Sequence, residues 1–131
     1  MGKVHAGAVL FTTRMDLLAD FYQHVLELSV RKRTQEYVVL ESRTFSLTLH
    51  LIPEQHAKHI RLESPPRIRQ VSAIKLSLPV ASIARSREQA SHFSGCVYQP
   101  DQEWTYEGTR VCDGWDPDGN VFQIFETAHR Q

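Results

Sequence analysis

Cysteine is scarce: the 131 residues hold two, Cys96 and Cys112, and neither lies in metal-ligand spacing. That excludes a disulfide scaffold and a cysteine zinc site. No sign of charge dominates either, because 15 lysines and arginines balance 15 aspartates and glutamates. No global field therefore draws the chain to nucleic acid or to an anionic membrane. Long apolar runs are also missing, since the opening MGKVHAGAVLF is too short for a spanning or signal segment. H-x-x-x-H, C-x-x-C and a carboxylate cluster on one strand face are absent as well. The expectation is a cytoplasmic protein in a reducing compartment, with a small molecule as partner and neither nucleic acid nor membrane. A chain of this length buries roughly two thirds of its unfolded surface, enough for one core without a staple.

What is present is periodicity. Residues 4–12 form a small and apolar run that reads as a strand buried on both faces. Over 15–28, Met15, Leu18, Ala19, Tyr22, Val25 and Leu26 recur at helical spacing, with Thr13 as the expected cap and Asp16 its acidic partner. Three strand-like segments follow, 29–33, 37–41 and 44–52, the last alternating Phe45, Leu47, Leu49, Leu51 against Ser46, Thr48, His50. Residues 54–70 are polar, carry Pro65-Pro66, and read as a linker with room for a helical turn. The pattern then restarts with a strand at 71–78, a helix at 81–93 stopped by Gly95, and strands at 96–99, 109–113 and 120–127. A βαβββ unit thus occurs twice, its first strands about 66 positions apart. One domain spans 1–131, with modules at 1–53 and 71–131.

The stretch GWDPDGNVFQIFE joins the last two strands. Asp116-Pro117-Asp118-Gly119 suits a type I turn, and the residues beyond it alternate. Phe122 and Ile124 face one side, and Val121, Gln123 and Phe125 the other. Period-two counting likewise sends Ser46, Thr48 and His50, and Lys75 and Ser77, away from the apolar face. GWDPDG is not a calcium loop, because Gly114 and Phe125 fall where acidic ligands are required. Cys112 reads as a small buried hydrophobe. His56 and His59 read as part of a solvated linker, and Trp104, Tyr106 and Trp115 as packing, a pocket mouth or a dimer surface.

DPDGNVFQIFE near the end, DFYQHVLEL after the first strand, and the doubled βαβββ pattern resemble the vicinal oxygen chelate superfamily, which includes glyoxalases, bleomycin-binding proteins and extradiol dioxygenases. The resemblance covers nearly the whole chain. It implies an α+β fold in which two βαβββ modules form an eight-stranded, cup-shaped mixed sheet. It also implies a divalent metal held by one side chain from the first and last strand of each module, positions that fall here on Gly7, Thr48, Ala73 and Gln123. Those four lack the strong donors such a metal requires. No cofactor is therefore expected, with a divalent metal as the alternative.

Gly7's place in the family pattern directs His5, Val9 and Phe11 into the cup. The expected ligand-binding set is then His5, Val9, Phe11, Thr48, His50, Lys75, Gln123 and Phe125, an apolar wall with a few orienting polar groups. The leading expectation is a metal-independent protein that binds a small organic molecule. Two alternatives stand beside it: a lyase, isomerase or dioxygenase whose rearranged site uses His5, His50 and Gln123 or works by histidine acid–base chemistry, and a structural or regulatory dimer module. The resemblance also implies a homodimer, in some relatives with exchanged modules.

Overall fold

The computed structural model describes residues 5–61 and 64–127. The first module runs β1 (Ala6–Thr12), α1 (Met15–His24), β2 (Ser29–Arg33), β3 (Tyr37–Glu41) and β4 (Phe45–Leu51). After the short helix α2 (Glu54–Ala57), the second runs β5 (Leu76–Val80), α3 (Ile83–Ala90), β6 (Cys96–Val97), β7 (Trp104–Tyr106), β8 (Thr109–Trp115) and β9 (Val121–Glu126).

The modules share one topology. Their sheets have the orders β1-β4-β3-β2 and β5-β9-β8-β6, so in each the first strand lies beside the last. That pair is parallel and the others are antiparallel. The strand β7 was not expected from the sequence. It pairs with Thr109 to Val111 of β8, while β6 pairs with Gly114 and Trp115. Together they form one edge strand broken by the 3-10 turn Pro100–Gln102, where proline has no N–H to give a ladder. The α+β class and the doubled module are as expected, in sheets of four and five strands.

Both sheets lay their apolar faces on one core. α1 supplies Leu18, Phe21 and Tyr22, and just past its end Val25, all at most 1% exposed. Beneath it lie Val38, Leu40, Leu47 and Leu49 of the first sheet, and Leu78, Phe122 and Ile124 of the second join the same cluster. Phe21 bridges the modules, its ring centroid 5.7 Å from that of Phe122. α3 begins at a Ser82 cap that accepts from the Arg85 N–H, and Ser86 Oγ donates to the Val25 carbonyl at 2.8 Å. Because the helix-bearing faces meet in the middle, each sheet turns its other face outward.

The local differences have physical causes. Thr13 does not cap α1; Arg14 occupies that position without a side-chain cap, and Thr12 Oγ1 accepts from the Arg14 N–H instead. β1 is not buried on both faces, since Val9 is 53% and Phe11 65% exposed. It is a sheet edge whose second side no element among the described residues covers. The expected strand over 71–78 begins only at Leu76, and Val71 is fully exposed. No helix among the described residues is long and apolar enough to cross a membrane.

Candidate functional site

Two outward faces carry the residues singled out by the sequence. On the first sheet, parallel register sets Phe11 beside His50 and Val9 beside Thr48, and antiparallel register sets His50 opposite Tyr37 and Thr48 opposite Val39. Phe11, His50 and Tyr37 form an aromatic row, with centroid separations of 5.7 Å and 6.3 Å, and Lys32 Nζ ends it 5.6 Å from the Tyr37 ring. His50 Nδ1 lies 3.0 Å from the Leu51 carbonyl, which can only accept. That contact puts a proton on Nδ1, so that in the neutral tautomer Nε2 is the acceptor. A third row holds Gly7, Ser46 and Glu41. Glu41 there pairs in charge with Arg31, whose Nε lies 3.1 Å from Oε2, and His5 Nδ1 lies at 3.8 Å.

The second sheet is similarly organised. Ser77, Gln123 and Asp113 lie in one row across β5, β9 and β8, and Pro79, Phe125, Val111 and Trp104 in the next. Lys75, just before β5, reaches Asp113 with Nζ 3.2 and 3.3 Å from its two carboxylate oxygens. No hydrogen bond engages the side chains of Gln123 or Thr48 among the described residues.

The eight expected ligand-binding residues therefore fall into two groups. His5, Val9, Phe11, Thr48 and His50 line the first outer face, and Lys75, Gln123 and Phe125 the second, with the shared core between them. His5 and His50 do not form a metal pair. His5 is six positions before Phe11, the partner of His50, and an extended chain spans about 20 Å over that distance.

Solved structures share this architecture. A glyoxalase/bleomycin resistance protein from Albidiferax ferrireducens T118 superimposes with a TM-score of 0.66 at 9% identity, covering 94% of this chain and 98% of its own. A glyoxalase-related enzyme from Fulvimarina pelagi gives 0.64 at 18% identity, over 97% and 89%. A glyoxalase/bleomycin resistance protein/dioxygenase family enzyme from Burkholderia phytofirmans PsJN gives 0.62 at 15%, over 94% and 98%. The chain has the glyoxalase/bleomycin resistance/dioxygenase fold. No family model and no curated protein matches the sequence. At such identities the likeness speaks for architecture, so activity has to be argued from side chains.

In this glyoxalase/bleomycin resistance fold the helix starts and strand register relate the first strands of the two modules, which corrects one expected position. From Met15 to Ile83, the first residues of α1 and α3, the step is 68. The same step carries Gly7 to Lys75 and Val9 to Ser77, and register agrees, with Val9 beside Thr48 and Ser77 beside Gln123. Lys75, not Ala73, is the equivalent of Gly7. Ala73 precedes β5 and has no strand partner. The corrected set of glycine, threonine, lysine and glutamine does not fit a divalent ion, because an ammonium repels it and a hydroxyl and an amide are weak donors. Gly7 is also fixed by its surroundings. A Cβ there would lie 2.2 Å from the Ser46 carbonyl oxygen. Among the described residues no three His, Cys, Asp or Glu side chains are grouped as metal ligands.

Sequence reading missed Tyr37 and Asp113, whose roles depend on strand pairing. It also missed the work of the DPDG turn. Asp116 is wholly buried and accepts from Tyr22 Oη at 2.7 Å, from Asn120 Nδ2 at 2.9 Å, and from the Asp118 and Asn120 N–H groups. Asp118 accepts from Thr12 Oγ1 at 2.7 Å and from Arg14, which also donates to the Pro117 carbonyl. The turn thus clasps the start of the first module. Cys112 is buried, and that burial pushes its thiol pKa up despite the Arg87 guanidinium nearby, the opposite of what a nucleophile needs.

Proposed function

We propose that the chain is a metal-independent binding protein for a small organic molecule, and that its cup is completed by a second copy. The supporting observation is the state of the first outer face. Apolar Val9 and Phe11 stand open there beside Thr48, His50 and Gly7, a surface suited to burial and orientation on which, among the described residues, no three metal donors are grouped. The second outer face offers the complementary half, with Phe125, Gln123 and the exposed aromatics Trp104 and Tyr106.

A two-fold axis would set the first module of one chain against the second module of its partner, twice, covering all four exposed side chains. Each Phe11 buried in this way contributes about 1.5–3 kcal/mol. Phe11→Ser changes two such contacts in the dimer and little in the monomer, where the ring is 65% exposed. The expected outcome is a dimer in light scattering for the wild type, and one weakened by roughly 100-fold or more for Phe11→Ser, with unchanged circular dichroism. A wild-type monomer at micromolar concentration would remove the two-chain cup.

Metal independence is tested by elemental analysis of untagged protein. Trace, substoichiometric metal is expected, and a stoichiometric divalent ion that survives dialysis would overturn the reading. Ligand binding is tested by thermal shift, where a molecule at about 100 times its dissociation constant adds roughly 2.7 kcal/mol.

A further inference from the structure

The cation at the second face is held loosely. Arg33 meets Asp16 at 2.8 Å and Arg14 meets Asp118 at 2.9 Å, ordinary lengths for charge-assisted bonds. Lys75 stays 3.2 and 3.3 Å from Asp113, and the two side chains are 41% and 24% exposed. A pair so loose and so wet contributes at most about 1 kcal/mol, so little is lost if another anion shares the ammonium. Lysine carries three donors, and Asp113 lies to one side of it. The pair borders a 390 Å³ cleft lined by Gln70, Ser72, Lys75, Tyr98, Asp113 and Val121. Gln123 lies opposite Asp113 in register, with an amide N–H that has no partner among the described residues.

We propose that Lys75 and Gln123 form an oxyanion subsite and that the ligand is a small organic acid with an apolar body. The carboxylate, or another oxyanion, takes the free ammonium donors and the Gln123 amide, while the apolar part lies against Tyr98 and Val121, which line the same cleft. This rests on the small-molecule-binding reading above. The module equivalence places the ammonium where the resemblance implies a metal ligand, so a fixed charge stands in for a coordinated one. The sign of the local field is kept, and coordination chemistry is not. Approach from outside also favours an anion, because Lys75 is the more exposed member of the pair.

The test is titration calorimetry of the folded full chain with benzoate, benzamide and benzylamine, which share a ring and differ in charge, at about 50 mM salt to limit screening. Benzoate is expected to bind at least about tenfold more tightly than benzamide. Lys75→Met should remove that preference and leave benzamide unchanged, and Lys75→Arg should retain it. Asp113→Asn, which removes the competing carboxylate, should tighten benzoate severalfold, a gain that a merely structural role would not produce. Equal binding of benzoate and benzamide, or a Lys75→Met protein that still prefers benzoate, would overturn the subsite and leave the apolar pocket standing. Preference for benzylamine would also overturn it and make Asp113 the recognising group. Failure of all three probes would count against the subsite and the binding reading together. Should Lys75→Met not fold, the Asp113→Asn titration decides.

Discussion

Asp116→Ala is expected to destabilise the protein by about 3–5 kcal/mol, because it strips four hydrogen bonds from a buried carboxylate and leaves Tyr22 Oη and two backbone N–H groups without acceptors. The corresponding fall in melting midpoint is roughly 10–20 °C for a chain of this size. Tyr22→Phe removes one of these bonds and should cost about 1–3 kcal/mol. The double variant should lose less than the sum, since both changes break the same contact. Urea unfolding gives all three values, and an Asp116→Ala protein within about 1 kcal/mol of wild type would show that the turn does not hold the modules together.

The same carboxyl makes stability depend on pH in a defined direction. Burial raises its pKa, and the hydrogen bonds from Tyr22 and Asn120 oppose that only in part. A carboxyl whose folded-state pKa exceeds its unfolded one binds its proton more tightly in the native state. Its contribution is therefore present at low pH and lost as pH rises through the raised value. The stability gap between wild type and Asp116→Asn should narrow as pH rises from about 4, and then level off. Glu103 works oppositely. Burial alone would raise it, but hydrogen bonds from Arg87 and Arg110 outweigh that and hold it below the ordinary value. Its contribution is present above that value and lost in acid.

The second large effect is expected from an attempt to rebuild the metal site. Gly7→His combined with Gln123→Glu restores two donors in kind, yet stable zinc binding should not follow. The new Cβ would sit 2.2 Å from the Ser46 carbonyl oxygen and 3.1 Å from its carbon, both backbone atoms of the paired strand. Relieving that contact means moving β1 away from β4, at a cost of about 1–3 kcal/mol or more. The Lys75 position would still be an ammonium. Denaturation together with zinc titration would check this, and a stable double variant that takes up stoichiometric zinc would show that the donor positions are open to recovery. Gln123→Glu alone should be mild, because Lys75 can share its charge between Asp113 and the new carboxylate.

Much of the site was legible before any coordinates. The alternation of Phe45 to Leu51 and of Val121 to Phe125 is borne out in their burial, and it alone sends Thr48, His50, Gln123 and Phe125 to the outer faces. The last turn is likewise as read, with the Gly119 N–H donating to the Asp116 carbonyl at 2.8 Å. β1 was harder, because its run of small and apolar residues does not alternate with polar ones to mark which side is open. Lys75 was placed on the correct face, but its partner was not foreseen, since pairing between β5, β9 and β8 decides which carboxylate it meets.

Local order along the chain thus determined most of the elements, the doubled module, and which side of most strands is apolar, because these follow from side-chain periods of about 2 and 3.6. Tertiary structure decided what those sides face. Phe21 and Tyr22 of α1 meet Phe122 and Asp116, and Thr12 meets Asp118, partners roughly a hundred residues apart that no local period encodes. Once both modules bury their helices in one core, the remaining faces must point apart. That geometric consequence leaves the surface of Val9 and Phe11 uncovered among the described residues.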